Sequence, residues 1–151
     1  MSDPFQSANH TARHSLPLLY PGQAQKEFFV NEALARLDAL IAPAVVGVAD
    51  TPPADPDEGD MWLVGTAASQ SWADRPDHLA TFTGGEWLFC APVSGMRAWD
   101  RSAACHLLFR DGWHLASPPQ LPDGGATIDS EARETIRDLI ATLQAAGVLS
   151  Q

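Results

Sequence analysis

The sequence predicts an α+β fold: an N-terminal arm and helix, a small antiparallel β domain of Trp-rich hairpins, and a C-terminal heptad helix. Three observations predict it. Apolar residues between Gln23 and Ile41 recur at three- and four-residue spacing, the period of a one-sided helix. Gly84-Gly85 and Asp111-Gly112 each separate β-prone runs, and such dipeptides supply the positive φ of tight hairpins. Near the end, Ala132, Ile136, Leu139, Leu143 and Ala146 follow a 4-3-4-3 spacing, a heptad seam. At 151 residues the chain has room for about one domain.

Residues 1–21 read as an extended arm in which Pro17 and Pro21 bracket an apolar plug, Leu18-Leu19-Tyr20. Residues 1–15 carry too little apolar surface to order themselves, so they are expected to be mobile until a partner protein holds them. Residues 22–42 read as a helix whose stripe is Ala24, Phe28, Val30, Ala33, Leu34, Leu37, Leu40 and Ile41. Lys26, Glu27, Glu32, Arg36 and Asp38 form its polar face, with Glu32 and Arg36 four apart in the favourable order. Pro43 ends it.

Residues 43–118 read as the antiparallel β domain. Its strands are expected at Val45–Val48, Met61–Val64, Leu79–Phe82, Trp87–Ala91, Met96–Trp99, Cys105–Phe109 and Trp113–Ala116, with the acidic, proline-rich 51–59 segment as a loop. Leu79–Pro92 can be laid without gaps over Cys105–Pro118, each copy a hairpin, a Trp, a short strand and a Pro. The glycines are offset by one position between the copies, which leaves the two hairpin registers free to differ. A two-residue Asp111-Gly112 turn would pair Phe109 with His114 and put His106 and His114 on opposite faces.

Residues 119–127 form a Pro/Gly linker, and 128–147 a helix capped by Asp129 or Ser130 and ended by Gly147. Two heptads are too short to stand alone in water. The seam therefore needs packing, either from the chain's own sheet or from the same helix in neighbouring subunits.

Nine Lys and Arg against nineteen Asp and Glu give a net charge of −10, which disfavours phosphate backbones and anionic lipid surfaces. Nucleic acid and membrane insertion are not expected as modes of action. The longest apolar stretch, Ala39–Ala49, is broken by Pro43 and Gly47 and falls short of the ~20 residues that span a bilayer. The first residues do not read as a secretory signal, so synthesis in the cytoplasm is expected. Cys90 and Cys105 read as small buried hydrophobes.

Metal ligation is not expected, because the five histidines do not converge; His10 and His14, four apart, read as solvated arm residues. Neither a nucleophile elbow nor a phosphate loop is present, so no catalytic residue and no cofactor is assigned. Asp60, Asp74, Asp77 and Glu86 lie near tryptophans in sequence, the composition a glycosidase needs, with Asp60 and Glu86 as its candidate acids. Trp62, Trp72, Trp87, Trp99 and Trp113 have two readings: ballast in a small sheet, or exposed rings that stack on a glycan.

The residues Leu16-Pro17-Leu18-Leu19, Gly22-Gln23-Ala24-Gln25-Lys26-Glu27, Asn31-Glu32-Ala33-Leu34 and Leu37-Asp38 resemble the DUF2793 family. The similarity continues through Pro52-Pro53, Glu58-Gly59-Asp60, Trp62-Leu63-Val64-Gly65, Trp72, Trp87, Pro92 and Ala98-Trp99, covering roughly residues 15–113. Where many members have a smaller polar or β-branched run, this chain has Phe28-Phe29. The family occurs in tail-fibre and related proteins of bacteriophages, prophages and gene transfer agents, and carries no established catalytic residues. The resemblance implies a non-enzymatic structural subunit of a phage-like particle: a homotrimeric fibre or spike component, docked on other tail or baseplate proteins and involved in attachment to host surface polysaccharide. The alternatives are an enzyme acting on cell-surface glycans and a stand-alone carbohydrate-binding module.

Overall fold

The computed structural model describes residues 9–20, 22, 26–124 and 129–151. The fold is α+β, with two helices and two small, mostly antiparallel sheets. The chain divides into two compact units, Met1–Pro92 and Val93–Gln151. The strands expected to share one domain are therefore split after Pro92.

In the first unit, residues 9–20 do not run as a free extended arm. Thr11 donates its N–H to the Leu16 carbonyl and accepts the Leu16 N–H on its hydroxyl, closing a turn flanked by a bridge between His10 and Pro17. The turn is fixed to helix α1 (Lys26–Leu40) by a buried carboxylate. Asp38 accepts the backbone N–H groups of Arg13 and His14 at 2.9 and 2.7 Å. About two turns of helix earlier, Asn31 clamps the plug, accepting the Leu19 N–H and donating to the Leu19 carbonyl. The expectation for residues 1–8, and those for Gln23, Ala24 and Gln25, fall outside the described residues.

These anchors choose which side of α1 faces inward, and the choice overturns the expected apolar stripe. The buried residues of α1 are Asp38 and Ala39, whereas Phe28, Phe29, Val30 and Leu37 are exposed. Orphan backbone N–H groups in the turn need acceptors more than the phenylalanines need cover. Arg36 pairs with Glu32 at 2.9 Å and also donates to the Phe89 carbonyl, tying the outer end of the helix to a strand.

After β1 (Ala44–Val45), the sheet of this unit runs in the order β2 (Val48–Ala49), β3 (Met61–Val64), β4 (Leu79–Thr83), β5 (Glu86–Cys90). The β2–β3 pair is parallel, the others antiparallel. One expected strand, Val45–Val48, is thus two short pieces separated by Val46-Gly47. Trp62, Val64, Ala80, Phe82, Trp87 and Phe89 share one face by register. Trp72, on a short 3-10 turn (Gln70–Trp72), packs into the buried Val64–Ala80 cluster and meets Trp87 edge to face at 5.0 Å. The other face carries Met61, Leu63, Leu79, Thr81 and Cys90, all buried. Both faces are therefore covered, so period-two alternation does not separate inside from outside in this sheet. The acidic loop folds back along it, as Glu58 accepts the Gly84 N–H at 2.7 Å and Gly59 donates to the Phe82 carbonyl.

In the second unit, β6 (Arg97–Asp100), β7 (Cys105–Phe109) and β8 (Trp113–Leu115) pair antiparallel. Ala98, Asp100, Cys105 and Leu107 alternate inward and are buried. Asp100 accepts from the Ser102 hydroxyl and from the Ser102 and Ala103 N–H groups, which satisfies its buried carboxylate in the β6–β7 turn. Helix α2 (Ser130–Ala145) is capped by Asp129, which accepts the Ala132 N–H at 2.9 Å. Its chain then turns at Gly147 (φ +67°), against the Trp99 ring. There the Gly147 carbonyl accepts the His106 N–H, and Ser150 donates to Ala116, so the C-terminal segment takes over beside β7 where β8 ends.

Candidate binding surfaces

The predicted seam lies on α2, and α2 has no buried residue. Ile136 and Leu139 are 41% and 57% exposed; Ala132 and Ala146 are exposed, and Leu143, like Ile140, is half-buried. The partial cover comes near the helix C-terminus, which is where the Gly147 and Ser150 hydrogen bonds reach the sheet. At the other end Arg133 donates to the carbonyls of Pro122 and Gly124 and holds the linker to the helix. Those bonds fix the helix by its polar atoms and leave the middle of the seam open.

A second open apolar surface lies on α1 of the first unit. Phe28 and Phe29 are 69% and 72% exposed and stack edge to face on each other at 5.9 Å. Between this helix and the β4–β5 hairpin runs a groove of about 620 Å³, lined by Phe28, Glu32, Thr83, Glu86, Trp87 and Leu88 among others. Glu86 is exposed at the hairpin end, and Asp60 accepts the Asp57 N–H at the opposite end of the loop–strand junction.

The five tryptophans do not form one platform. Trp72 is 0% exposed, so its ring is core and not a stacking surface. Trp62 and Trp87 are half-buried and packed against that same cluster. In the second unit Trp99 is half-buried against His106, at 4.9 Å, and Trp113 against Phe109, at 5.3 Å.

The histidine geometry departs from expectation. The β7–β8 turn has three residues, Arg110, Asp111 and Gly112, so Phe109 pairs with Trp113 and Leu108 with His114. His114 therefore lies on the same face as Leu108 and His106, not the opposite one. His14 is held on Asp38, its Nδ1 3.1 Å from the carboxylate, instead of hanging in solvent on an arm. Among the described residues, no group of three or more His, Cys, Asp or Glu is arranged to hold a metal ion.

Both cysteines are free and buried. Burial pushes both thiols up; Arg36 offsets part of this at Cys90, while Asp100 adds to it at Cys105. Neither is activated as a nucleophile. Asp38 behaves oppositely. Burial alone would raise its pKa, but the Arg13 N–H, the Thr11 hydroxyl and the His14 N–H and ring together hold it below the usual carboxylate range.

The family described as "Protein of unknown function (DUF2793)" matches residues 30–114, and the chain belongs to that family. The match begins at Val30, so the Leu16–Leu19 and Gly22–Glu27 motifs lie before it. No curated protein matches the chain.

Proposed function

We propose that the protein is a non-enzymatic structural subunit of a phage tail or gene-transfer-agent particle. In this reading it is a homotrimeric fibre or spike component, assembled with other tail or baseplate proteins and taking part in attachment to the host surface. The observation that carries it is the open seam on α2: Ile136 and Leu139 sit at heptad positions and are 41% and 57% exposed among the described residues. Apolar residues at this spacing gain most when the same helix of another copy covers them. The exposed Phe28 and Phe29 offer further apolar surface for contacts within an assembly. The particle assignment draws on the family resemblance, and a net charge of −10 suits a particle exterior that has to stay soluble.

Light scattering on the purified chain at micromolar concentration tests the reading, with a mass of three chains expected. The double change Ile136→Glu and Leu139→Glu should reduce this to one chain while leaving the sheet signal in far-UV circular dichroism unchanged, because both side chains are exposed. A single-chain mass for the unmodified protein would contradict the proposal.

A further inference from the structure

Three strands of the second unit place an unusual set of side chains on one face. By register, Arg97 of β6, Leu108 of β7 and His114 of β8 form a row across the sheet. His106 lies two residues before Leu108 on the same face, opposite Trp99, and Arg110 follows two residues after it at the start of the turn. Cross-strand neighbours are about 5 Å apart at Cβ, and same-face neighbours along a strand about 7 Å, so four nitrogen-bearing side chains surround one leucine within reach of a single small ligand.

The chain is strongly acidic, yet this face is not. Arg97, His106, Arg110 and His114 are all exposed, and neither Arg97 nor Arg110 has a carboxylate partner among the described residues. The acid facing the cluster is Asp111, 3.7 Å from the His114 ring and almost fully exposed. These side chains line a groove of about 460 Å³, together with Leu108, Leu115 and Val148.

We propose that this groove binds a carboxylate-bearing sugar, such as a uronic acid unit of an acidic polysaccharide. Arginine presents a planar fork that matches a carboxylate with two parallel N–H···O bonds. The imidazoles supply single donors or acceptors for ring hydroxyls, and Leu108 and Val148 offer apolar surface to the C–H face of a sugar ring. The dimensions suit one or two sugar units. A nucleic acid is disfavoured, because a phosphate polymer extending beyond the groove would meet the negative remainder of the chain. Neighbours in sequence do not reveal the set: the β6–β7 pairing and the alternation along β7 gather Arg97, His106 and Arg110, and the three-residue turn adds His114. The site stands independently of the trimer and particle assignments.

The test is calorimetric titration of the full chain at low salt with oligoglucuronate, with glucose oligomers of the same length, and with inorganic phosphate. Oligoglucuronate should bind, and Arg97→Gln and Arg110→Gln should each weaken it about tenfold, the loss expected for a charge-assisted hydrogen bond. Arg101→Gln, an exposed arginine outside the groove, should leave it within twofold. Glucose oligomers should bind at least tenfold more weakly, and so should phosphate. Equal affinity for glucose oligomers, absence of oligoglucuronate binding, or indifference to Arg97→Gln and Arg110→Gln would overturn the proposal. Phosphate binding as tightly as oligoglucuronate would replace the sugar with a bare anion and overturn it equally. All three variants change exposed side chains, and unchanged circular dichroism separates loss of binding from loss of fold.

Discussion

The β4–β5 and β7–β8 hairpins align residue for residue without a gap, yet they are built in different registers. In the first, Gly84-Gly85 makes a two-residue turn and Phe82 faces Trp87; in the second, a three-residue turn brings Phe109 opposite Trp113. What the two share is a cross-strand Phe–Trp pair of nearly identical geometry, with centroids 5.1 and 5.3 Å apart and ring planes at 58° and 60°. The aromatic pair is the conserved unit, and the turn adjusts to it. A one-residue slip then reverses which side chains share a face. In the first hairpin the Trp face closes over Trp72 and becomes core; in the second, the face beside the pair carries His114, His106 and the two arginines outward.

If the first hairpin is a core element and the second a presenting one, the deepest break lies at Trp72. Trp72→Ala should cost about 3–5 kcal/mol, because it empties the site between Val64, Ala80 and Trp87. Trp113→Ala, at a half-buried position, should cost clearly less. Chemical denaturation followed by circular dichroism reads both, and equal costs would erase the distinction between the hairpins.

The first unit has a further support without counterpart in the β7–β8 hairpin, the Asp38 anchor, and pH sharpens that difference. A carboxylate whose folded pKa is depressed contributes stability that is present above its unfolded value near 4 and is lost as pH falls through the lower folded value. Acid should therefore release the 11–16 turn from α1. Asp38→Asn should cost about 1–3 kcal/mol at neutral pH and remove that part of the acid dependence. Hydrogen exchange at the Arg13 and His14 amides, compared at neutral pH between the unmodified protein and Asp38→Asn, measures it; equal protection in the two would count against the anchor.

Much of this architecture was legible in the sequence. Met61–Val64 and Cys105–Phe109 are strands at the expected limits, β4, β5, β6 and β8 fall within a residue of theirs, and Asp129 caps α2. Local patterns fixed those elements because turn glycines, β-branched runs and caps act over a few residues. The interior of the first unit was less legible. Trp72 reaches the core from a 3-10 turn that opens on Gln70 at positive φ and is followed by Asp74 at positive φ, a conformation that non-glycine residues do not advertise. Asp38 reads as a surface charge until the turn that consumes its lone pairs is known. The helix face followed that carboxylate and Asn31, so periodicity pointed to the wrong side of α1. The register of the second hairpin was recoverable in principle: matching Phe to Trp, instead of counting from Asp-Gly, gives the observed pairing in both copies. That one choice moved His114 off the face it shares with His106.

The register itself is the most direct point of attack. Nuclear Overhauser spectroscopy on the labelled protein should show cross-strand backbone contacts between Leu108 and His114 and between Phe109 and Trp113. Contacts between Phe109 and His114 in their place would return the hairpin to a two-residue turn, move His114 to the opposite face, and dismantle both the comparison and the groove built on it.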